Sequence, residues 1–338
     1  MKACFMGLGY IGLPTSIIAA KHGVKVVGVD INPQVVEMTN QGRLHIIEPG
    51  MKEMLQEVVN NGYLYASNTP EVSDAYFIVV PTPFKGDHEP DISYVESATR
   101  MVLPLLKQGD LYVIESTSPV GTTNKMAELI FTERPELKDK IYIAYCPERV
   151  LPGNVIYELV HNDRVIGGLN EASTKKAQEF YSLFVQGTLH PTDCRTAEMC
   201  KLTENSCRDM QIAFANELSI ICEKAGINVW ELISLANKHP RVNILCSVIL
   251  GSTTIMLALL HFCITLVTIY LAGLSRRSSI LGLKANPIMA TTGLHLLSSS
   301  KRSMAFWTFS AHQSALELFT SRAIAIILAS LGNSLLMK

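Results

Sequence analysis

The chain has 338 residues, enough for about two domains where ordinary ones run to roughly 100–200 residues, so a single small module is excluded. Apolar residues make up 48% and charged residues 17%, which excludes a wholly disordered chain and allows a sizeable core. A net charge of -1 offers a polyanion no excess of cations, so no nucleic-acid partner is expected.

That average hides a break. Residues 1–245 carry 22 Lys+Arg against 29 Asp+Glu, a net of -7, whereas residues 246–338 carry 7 against the single acid Glu317, a net of +6. The eight cysteines include no Cys-x-x-Cys pair, and the N-terminus lacks the basic, apolar, small-residue order of a signal peptide. Reduced thiols and a cytoplasmic location are the expectation.

In chain order, Lys2–Met6 reads as a strand, Gly7-Leu-Gly-Tyr-Ile-Gly12 as a glycine turn, Leu13–His22 as a helix and Val24–Val29 as a second strand ending at Asp30. Further strands are expected at Ala75–Val80, Leu111–Glu115, Ile141–Tyr145 and Arg164–Ile166, and helices at Gln34–Gln41 and Tyr94–Lys107. Alternation of this kind predicts an α/β fold, a doubly wound parallel Rossmann-type sheet over residues 1–190. A long central helix follows within residues 191–245, capped by Thr196 and running to about Lys224, with Gly226 as its left-handed stop.

From Val242 to Ser275 no residue is charged, and Val248–Gly273 exceeds the roughly 20 apolar residues that cross a bilayer. Buried helices of a soluble protein, a membrane segment, or a tail foreign to the rest of the chain all fit this stretch. A membrane contact through residues 248–273 is the minority alternative. No His-based metal-ligand spacing occurs, so no metal is expected.

The glycine triplet has a mechanism in this context. Gly7 permits the tight turn, Gly9 lets a pyrophosphate approach the backbone, Gly12 lets the helix pack closely, and the helix N-terminus presents amides to the phosphates. Asp30 stands 18 residues after Gly12, where a carboxylate accepts both ribose hydroxyls and repels a 2′-phosphate, favouring NAD over NADP.

Several segments then fall in one order: Gly7-Leu-Gly-Tyr-Ile-Gly-Leu-Pro14, Glu48-Pro-Gly50, Val80-Pro-Thr-Pro83, Glu115-Ser-Thr117 and Pro119-x-Gly121-Thr-Thr123. Cys146-Pro-Glu-Arg-Val-Leu-Pro-Gly153, Asn162-Asp-Arg-Val-Ile-Gly-Gly168 and Ala197-Glu-Met-Cys-Lys-Leu-x-Glu-Asn205 continue it. Over residues 1–245 the chain resembles the nucleotide-sugar 6-dehydrogenases, NAD enzymes that oxidise a sugar C6 alcohol to a carboxylate in two steps. The 146–153 and 162–168 segments resemble the members acting on UDP-N-acetylmannosamine more than those acting on UDP-glucose, so a UDP-N-acetylhexosamine is the expected substrate, with UDP-N-acetylglucosamine the alternative.

The resemblance implies a cofactor cleft of Gly7, Gly9, Tyr10, Ile11, Gly12, Asp30, Pro81, Thr82 and Thr117. It makes Glu148 the base for thioester hydrolysis, Thr117 a positioner of the water or hydroxyl, and Lys201 with Asn205 the donors to a developing oxyanion. Lys201 and Asn205 share a helix face at i,i+4, although that spacing also fits a solvated lysine beside an ordinary asparagine. Glu148, likewise, reads without the resemblance as either a ligand group at a strand end or a surface carboxylate. Arg149, Val150 and Leu151 would wrap the sugar nucleotide, and Arg241 would reach a substrate held by a partner in a homodimer built on the long helix.

One family feature is missing. The nucleophilic cysteine belongs in a Gly-Gly-His-Cys stretch soon after Arg241-Val-Asn-Ile-Leu245, and no such stretch exists in the chain. Cys246 comes too early, Cys263 too late, and Cys146 reads as a small core residue. With the charge break, residues 246–338 read as a frame-shifted or truncated continuation without the family's UDP-binding domain, and impaired turnover is expected; the alternative is a catalytically inactive NAD-binding remnant or regulatory module, membrane-attached if the tail is a membrane segment.

Overall fold

The structure is a computed structural model that describes residues 1–86, 89–151 and 153–245. Its first half builds outward from β1 (Lys2–Met6), through α1 (Gly12–Lys21), to β2 (Lys25–Val29), α2 (Pro33–Asn40), α3 (Met51–Asn60) and β3 (Leu64–Ser67). The chain then crosses to β4 (Ala75–Ile78), a small hairpin of β5 (Phe84–Lys85) and β6 (Glu89–Pro90), α4 (Ser93–Val102), β7 (Leu111–Ile114), α5 (Thr122–Glu133) and β8 (Tyr142–Tyr145). After these come α6 (Val155–His161), β9 (Arg164–Gly168), α7 (Glu171–Tyr181), β10 (Leu189–Asp193), α8 (Cys194–Ala225) and α9 (Val229–Ala236).

The main sheet has the order β10-β9-β8-β7-β4-β1-β2-β3. Helices cover both faces, so alternate residues of each strand enter different cores: Ala3, Phe5 and Phe77 lie in one, Cys4, Met6, Tyr76 and Ile78 in the other. Phe5 stacks on Phe77 at 4.5 Å, and Phe77 meets Phe180 of α7 at 4.4 Å, which ties the centre of the sheet to its covering helix.

Three expectations need correction. The sheet is not wholly parallel, because β9 runs antiparallel to β8, with β10 parallel to β9. The loop after β8 is clasped to the residues before β9: Arg149 Nη1 donates to the Asp163 carbonyl and Asn162 Nδ2 donates to the Arg149 carbonyl, each at 3.0 Å. Thus β9 starts at the carboxyl end of β8 and runs back along it. Secondly, the helix expected over Tyr94–Lys107 stops at Val102, and a 3-10 turn over Leu103–Leu105 follows, since Pro104 cannot donate to a continuing helix.

Thirdly, the long helix is capped by Asp193 rather than Thr196. The Asp193 carboxylate accepts from the amides of Arg195 and Thr196, each at 3.0 Å, and from the Thr196 hydroxyl at 2.6 Å, which satisfies amides that the helix itself leaves open. Gly226 ends the helix at φ 68°, as its sequence position foretold. With 32 residues α8 is about 48 Å long, and beyond its first two turns few of its side chains are buried.

Among the described residues no helix is long and apolar enough to cross a membrane. The apolar stretch 248–273 and the tail 246–338 lie outside the described residues.

Candidate active site

The glycine turn joins β1 to α1 at the carboxyl edge of the sheet. Gly7 has φ +106°, and a Cβ there would stand 2.3 Å from the Val79 carbonyl oxygen, so only glycine fits. A Cβ on Gly12 would meet the Gly7 carbonyl at 1.8 Å, so the helix start packs against the turn itself. Gly9 differs, since a Cβ there would meet nothing within 4 Å. Its backbone borders open space, and the amides of Tyr10 and Ile11 have no protein acceptor among the described residues. Open space, free amides and the positive end of α1 are what a pyrophosphate requires.

Asp30 closes the other side. Its Oδ2 accepts from the Leu8 amide at 3.1 Å and its Oδ1 from the Asn32 amide at 2.9 Å, which fixes the carboxylate beside the turn with lone pairs to spare. Tyr10 is exposed and Ile11 half-buried at the same rim. Pro81, exposed, and Thr82 and Thr117, both half-buried, come from the loops after β4 and β7, which are tied together because Thr82 Oγ1 donates to the Thr117 carbonyl at 2.7 Å. Every expected cofactor residue therefore stands at the same end of the sheet.

The second group forms where α8 passes the end of β8. Lys201 Nζ donates to the backbone carbonyl of Glu148 at 2.5 Å and lies 3.7 Å from Glu148 Oε2. Burial pushes the Glu148 carboxyl above its ordinary range, against the opposing charges of Lys201 and then Arg164. The Val150 amide donates to Glu148 Oε1, so the loop holds its own carboxylate. Asn205 sits one turn beyond Lys201, half-buried. Arg149 is occupied as a fork on Glu204, 2.8 Å from Oε1 and 3.2 Å from Oε2, so its guanidinium braces the loop on α8. Val150 packs against the core, and Leu151 is exposed.

Other buried groups support the site, and sequence reasoning gave them no role. Glu48 accepts from the amides of Gly153 at 2.9 Å and Val155 at 2.7 Å, fastening the 148–154 loop from 105 residues away. Glu198 accepts from the Gly121 amide at 2.5 Å, the Thr123 amide at 2.8 Å and the Thr123 hydroxyl at 2.7 Å, and so caps α5. Arg164, at the head of β9, has its guanidinium 5.0 Å over the Tyr181 ring and donates to Cys146 Sγ at 3.9 Å. The Tyr181 hydroxyl donates to Glu115 Oε1 at 2.5 Å. A charged residue opening an otherwise apolar strand, as Arg164 does, was the available signal.

Cys146 is fully buried and its thiol is pushed up to about 11, chiefly by that burial, so it is a poor nucleophile, in line with its reading as a core residue. Arg241 makes no side-chain hydrogen bond or ion pair with the site residues among the described residues. It follows α9, and from Lys201 to the end of α8 the helix runs about 36 Å.

With this arrangement in view, comparison with known proteins decides the family. Residues 1–185 match the NAD binding domain of the UDP-glucose/GDP-mannose dehydrogenase family, and residues 195–251 match its central domain. The chain belongs to this family. Among its similar relatives is the UDP-N-acetyl-D-mannosamine dehydrogenase of Campylobacter jejuni, 56% identical over 253 residues, covering 72% of this chain and 62% of that protein. The NDP-N-acetyl-D-galactosaminuronic acid dehydrogenase of Ralstonia nicotianae is 54% identical, over 71% of this chain and 59% of its own. Among solved structures, the UDP-N-acetyl-mannosamine dehydrogenase from S. aureus matches with a TM-score of 0.66 and 48% identity, over 72% of this chain and 59% of that one. The chain thus spans about three fifths of these family members. Its first domain is the family's NAD-binding domain.

Proposed function

We propose that this chain is an NAD-dependent nucleotide-sugar 6-dehydrogenase that takes a UDP-N-acetylhexosamine, first of all UDP-N-acetylmannosamine, and works in the cytoplasm. The observation that carries the reading is Lys201 reaching the end of β8 to meet Glu148 at 3.7 Å, at the same sheet edge as the open glycine turn. Gly7, Gly9 and Gly12 with the free amides of Tyr10 and Ile11 would hold the cofactor's pyrophosphate, and Asp30 its ribose. Bound there, NAD supplies the hydride acceptor.

In this reading Lys201 and Asn205 donate hydrogen bonds to the oxygen on C6, where negative charge develops. Glu148 takes a proton from the water that attacks the thioester, and its raised proton affinity suits that task. Thr117, between the two groups of residues, orients the water or the hydroxyl. The N-acetylated sugar is favoured because the relatives above are named for N-acetylated hexosamines. A homodimer along α8 and α9 is part of the proposal, since Met210, Phe214, Ile221, Trp230 and Leu235 are all exposed there.

Turnover is proposed to be impaired. The Gly-Gly-His-Cys stretch is absent from the sequence, Cys146 is buried, and Cys246 and Cys263 lie outside the described residues. Purified full chain with NAD and UDP-N-acetylmannosamine tests both halves. NAD binding with little or no NADH is the expected result; absence of NAD binding overturns the dehydrogenase reading, and two NADH per sugar with acid product overturns the impairment.

A further inference from the structure

The reversed strand β9 brings a second cation to Glu148. In the ladder Ala144 faces Gly168 and Tyr145 faces Gly167, and the same register continued past the ladder sets Glu148 against Arg164. The clasp between Arg149 and Asp163, and between Asn162 and Arg149, holds the two chains together at that level. Were β9 parallel, as the sequence suggested, Arg164 would stand at the opposite edge of the sheet.

Arg164 is 4% exposed, so its charge is almost wholly shielded from solvent and salt. Its partners are Cys146 Sγ at 3.9 Å and the Tyr181 ring at 5.0 Å, and Tyr181 in turn holds Glu115 at 2.5 Å. Glu115 Oε2 is buried with no protein partner among the described residues. The titratable groups whose charge bears on Glu148 are Lys201 from α8, Arg164 from β9, Glu158 from α6, Glu115 just after β7 and Tyr145 from β8. Two of these are cations, and they differ in kind. Lys201 is the group with a second task, donating to the sugar oxygen, and its ammonium is then shared. Arg164 has no route to a ligand and stays protonated under all ordinary conditions.

We propose that Arg164 is a positioning residue, whose buried guanidinium supplies the fixed positive charge against which the Glu148 carboxylate works while Lys201 turns to the substrate. This rests on the dehydrogenase reading for its purpose, but its test needs neither substrate nor turnover. Burial raises the proton affinity of Glu148, and Arg164 opposes it after Lys201, so removing the guanidinium should raise it further.

The experiment is a pH titration of the full chain carrying glutamate labelled with carbon-13 at the carboxyl, read by NMR, with Glu148→Gln assigning the resonance. Arg164→Gln, which keeps a polar head without charge, should move the Glu148 midpoint up by about one unit or more, the scale expected for losing a nearby opposite charge. Arg164→Lys, which keeps a charge with shorter reach, should move it up by only a fraction of that. NAD affinity retained in each variant shows that the fold stands. An unchanged midpoint in Arg164→Gln overturns the proposal, even if the melting temperature falls, because a merely structural arginine would affect stability alone. Should Arg164→Gln not fold, Arg164→Lys decides by itself, and no upward movement there overturns it. Failure of the dehydrogenase reading would show separately, as wild-type protein that binds no NAD.

Discussion

Lys201 Nζ lies 3.7 Å from Glu148 Oε2 while donating at 2.5 Å to the backbone carbonyl of the same residue, so one ammonium both fixes the loop and faces its carboxylate. Both side chains are largely buried, at 11% and 14% exposure, so their attraction is little screened but works against the cost of taking both charges out of water.

This geometry gives a pH dependence with a definite sign. Burial holds the Glu148 carboxyl above its ordinary range, so the folded chain keeps the proton to higher pH than the unfolded chain does. Its contribution to stability is full below the unfolded value and is lost as pH rises through the raised folded value. Lys201→Met removes the larger opposing charge and raises the folded value again. The variant should match the wild type most closely in acid and fall behind it towards neutral pH, by about 1–3 kcal/mol at one to two units of added shift. Melting temperatures from pH 4 to 8 check this, and a deficit that shrinks as pH rises contradicts it.

Asp30 has two structural bonds, to the Leu8 and Asn32 amides, besides its expected bond to ribose. Asp30→Ala should weaken NAD by about 1.5–3 kcal/mol, the usual worth of a hydrogen bond to a charged group. Asp30→Asn retains an acceptor for the Leu8 amide and removes the charge that repels a 2′-phosphate, so it should lose preference for NAD over NADP with less harm to the turn. Fluorescence titration with both nucleotides measures the ratio. Equal affinity for the two in the wild type would refute the role given to Asp30.

The cofactor half was legible because its signals are local. Gly7, Gly9, Gly12 and Asp30 lie within one βαβ unit, where Gly7 takes the tight turn, Gly12 packs against it, Gly9 borders open space and Asp30 stands beside the turn. The strands β1, β2, β4, β7 and β8 were legible as apolar runs, whereas β10, Leu-His-Pro-Thr-Asp, is an exposed edge strand with no such run. The direction of β9 was not legible, because the apolar run from Arg164 to Gly168 reads alike in either sense. The loop that leads towards it is held from 105 residues away, where Glu48 accepts from the Gly153 amide. Glu198 was hidden for the same reason, as its partners at Gly121 and Thr123 are 77 and 75 residues distant. Even the local error at Thr196 has a plain cause: Asp193 and Thr196 both suit a cap, and the carboxylate collects two amides and the threonine hydroxyl.

Glu198 links α8 to α5, and its three hydrogen bonds offset the burial that pushes its carboxyl above the ordinary range. Glu198→Ala would leave the buried amide of Thr123 and the half-buried amide of Gly121 without acceptors at the positive end of α5. A loss of about 2–4 kcal/mol is expected, as each orphaned buried donor costs on the order of 1–3 kcal/mol. Urea unfolding measures it, and a loss under 1 kcal/mol would mean that water or a neighbouring side chain replaces the carboxylate. Since α8 also carries Lys201, NAD affinity should change less than the stability does.

The proposed dimer rests on α8 and α9. Met210 is 65% exposed, Phe214 54% and Ile221 46%, and their spacing places them along one side of α8. Trp230 at 49% and Leu235 at 62% add exposed apolar surface on α9, close beyond the end of α8. Burying such side chains contributes roughly 1.5–3 kcal/mol each, so a face of this kind in water favours association. Phe214→Glu puts a charge in the middle of that face, far from the glycine turn, and should convert the dimer to monomer with NAD affinity retained. Sedimentation equilibrium at micromolar concentration reads the outcome. A monomeric wild type, or a Phe214→Glu variant that stays dimeric, would remove α8 as the interface, and with it the expectation that Arg241 reaches a partner's substrate.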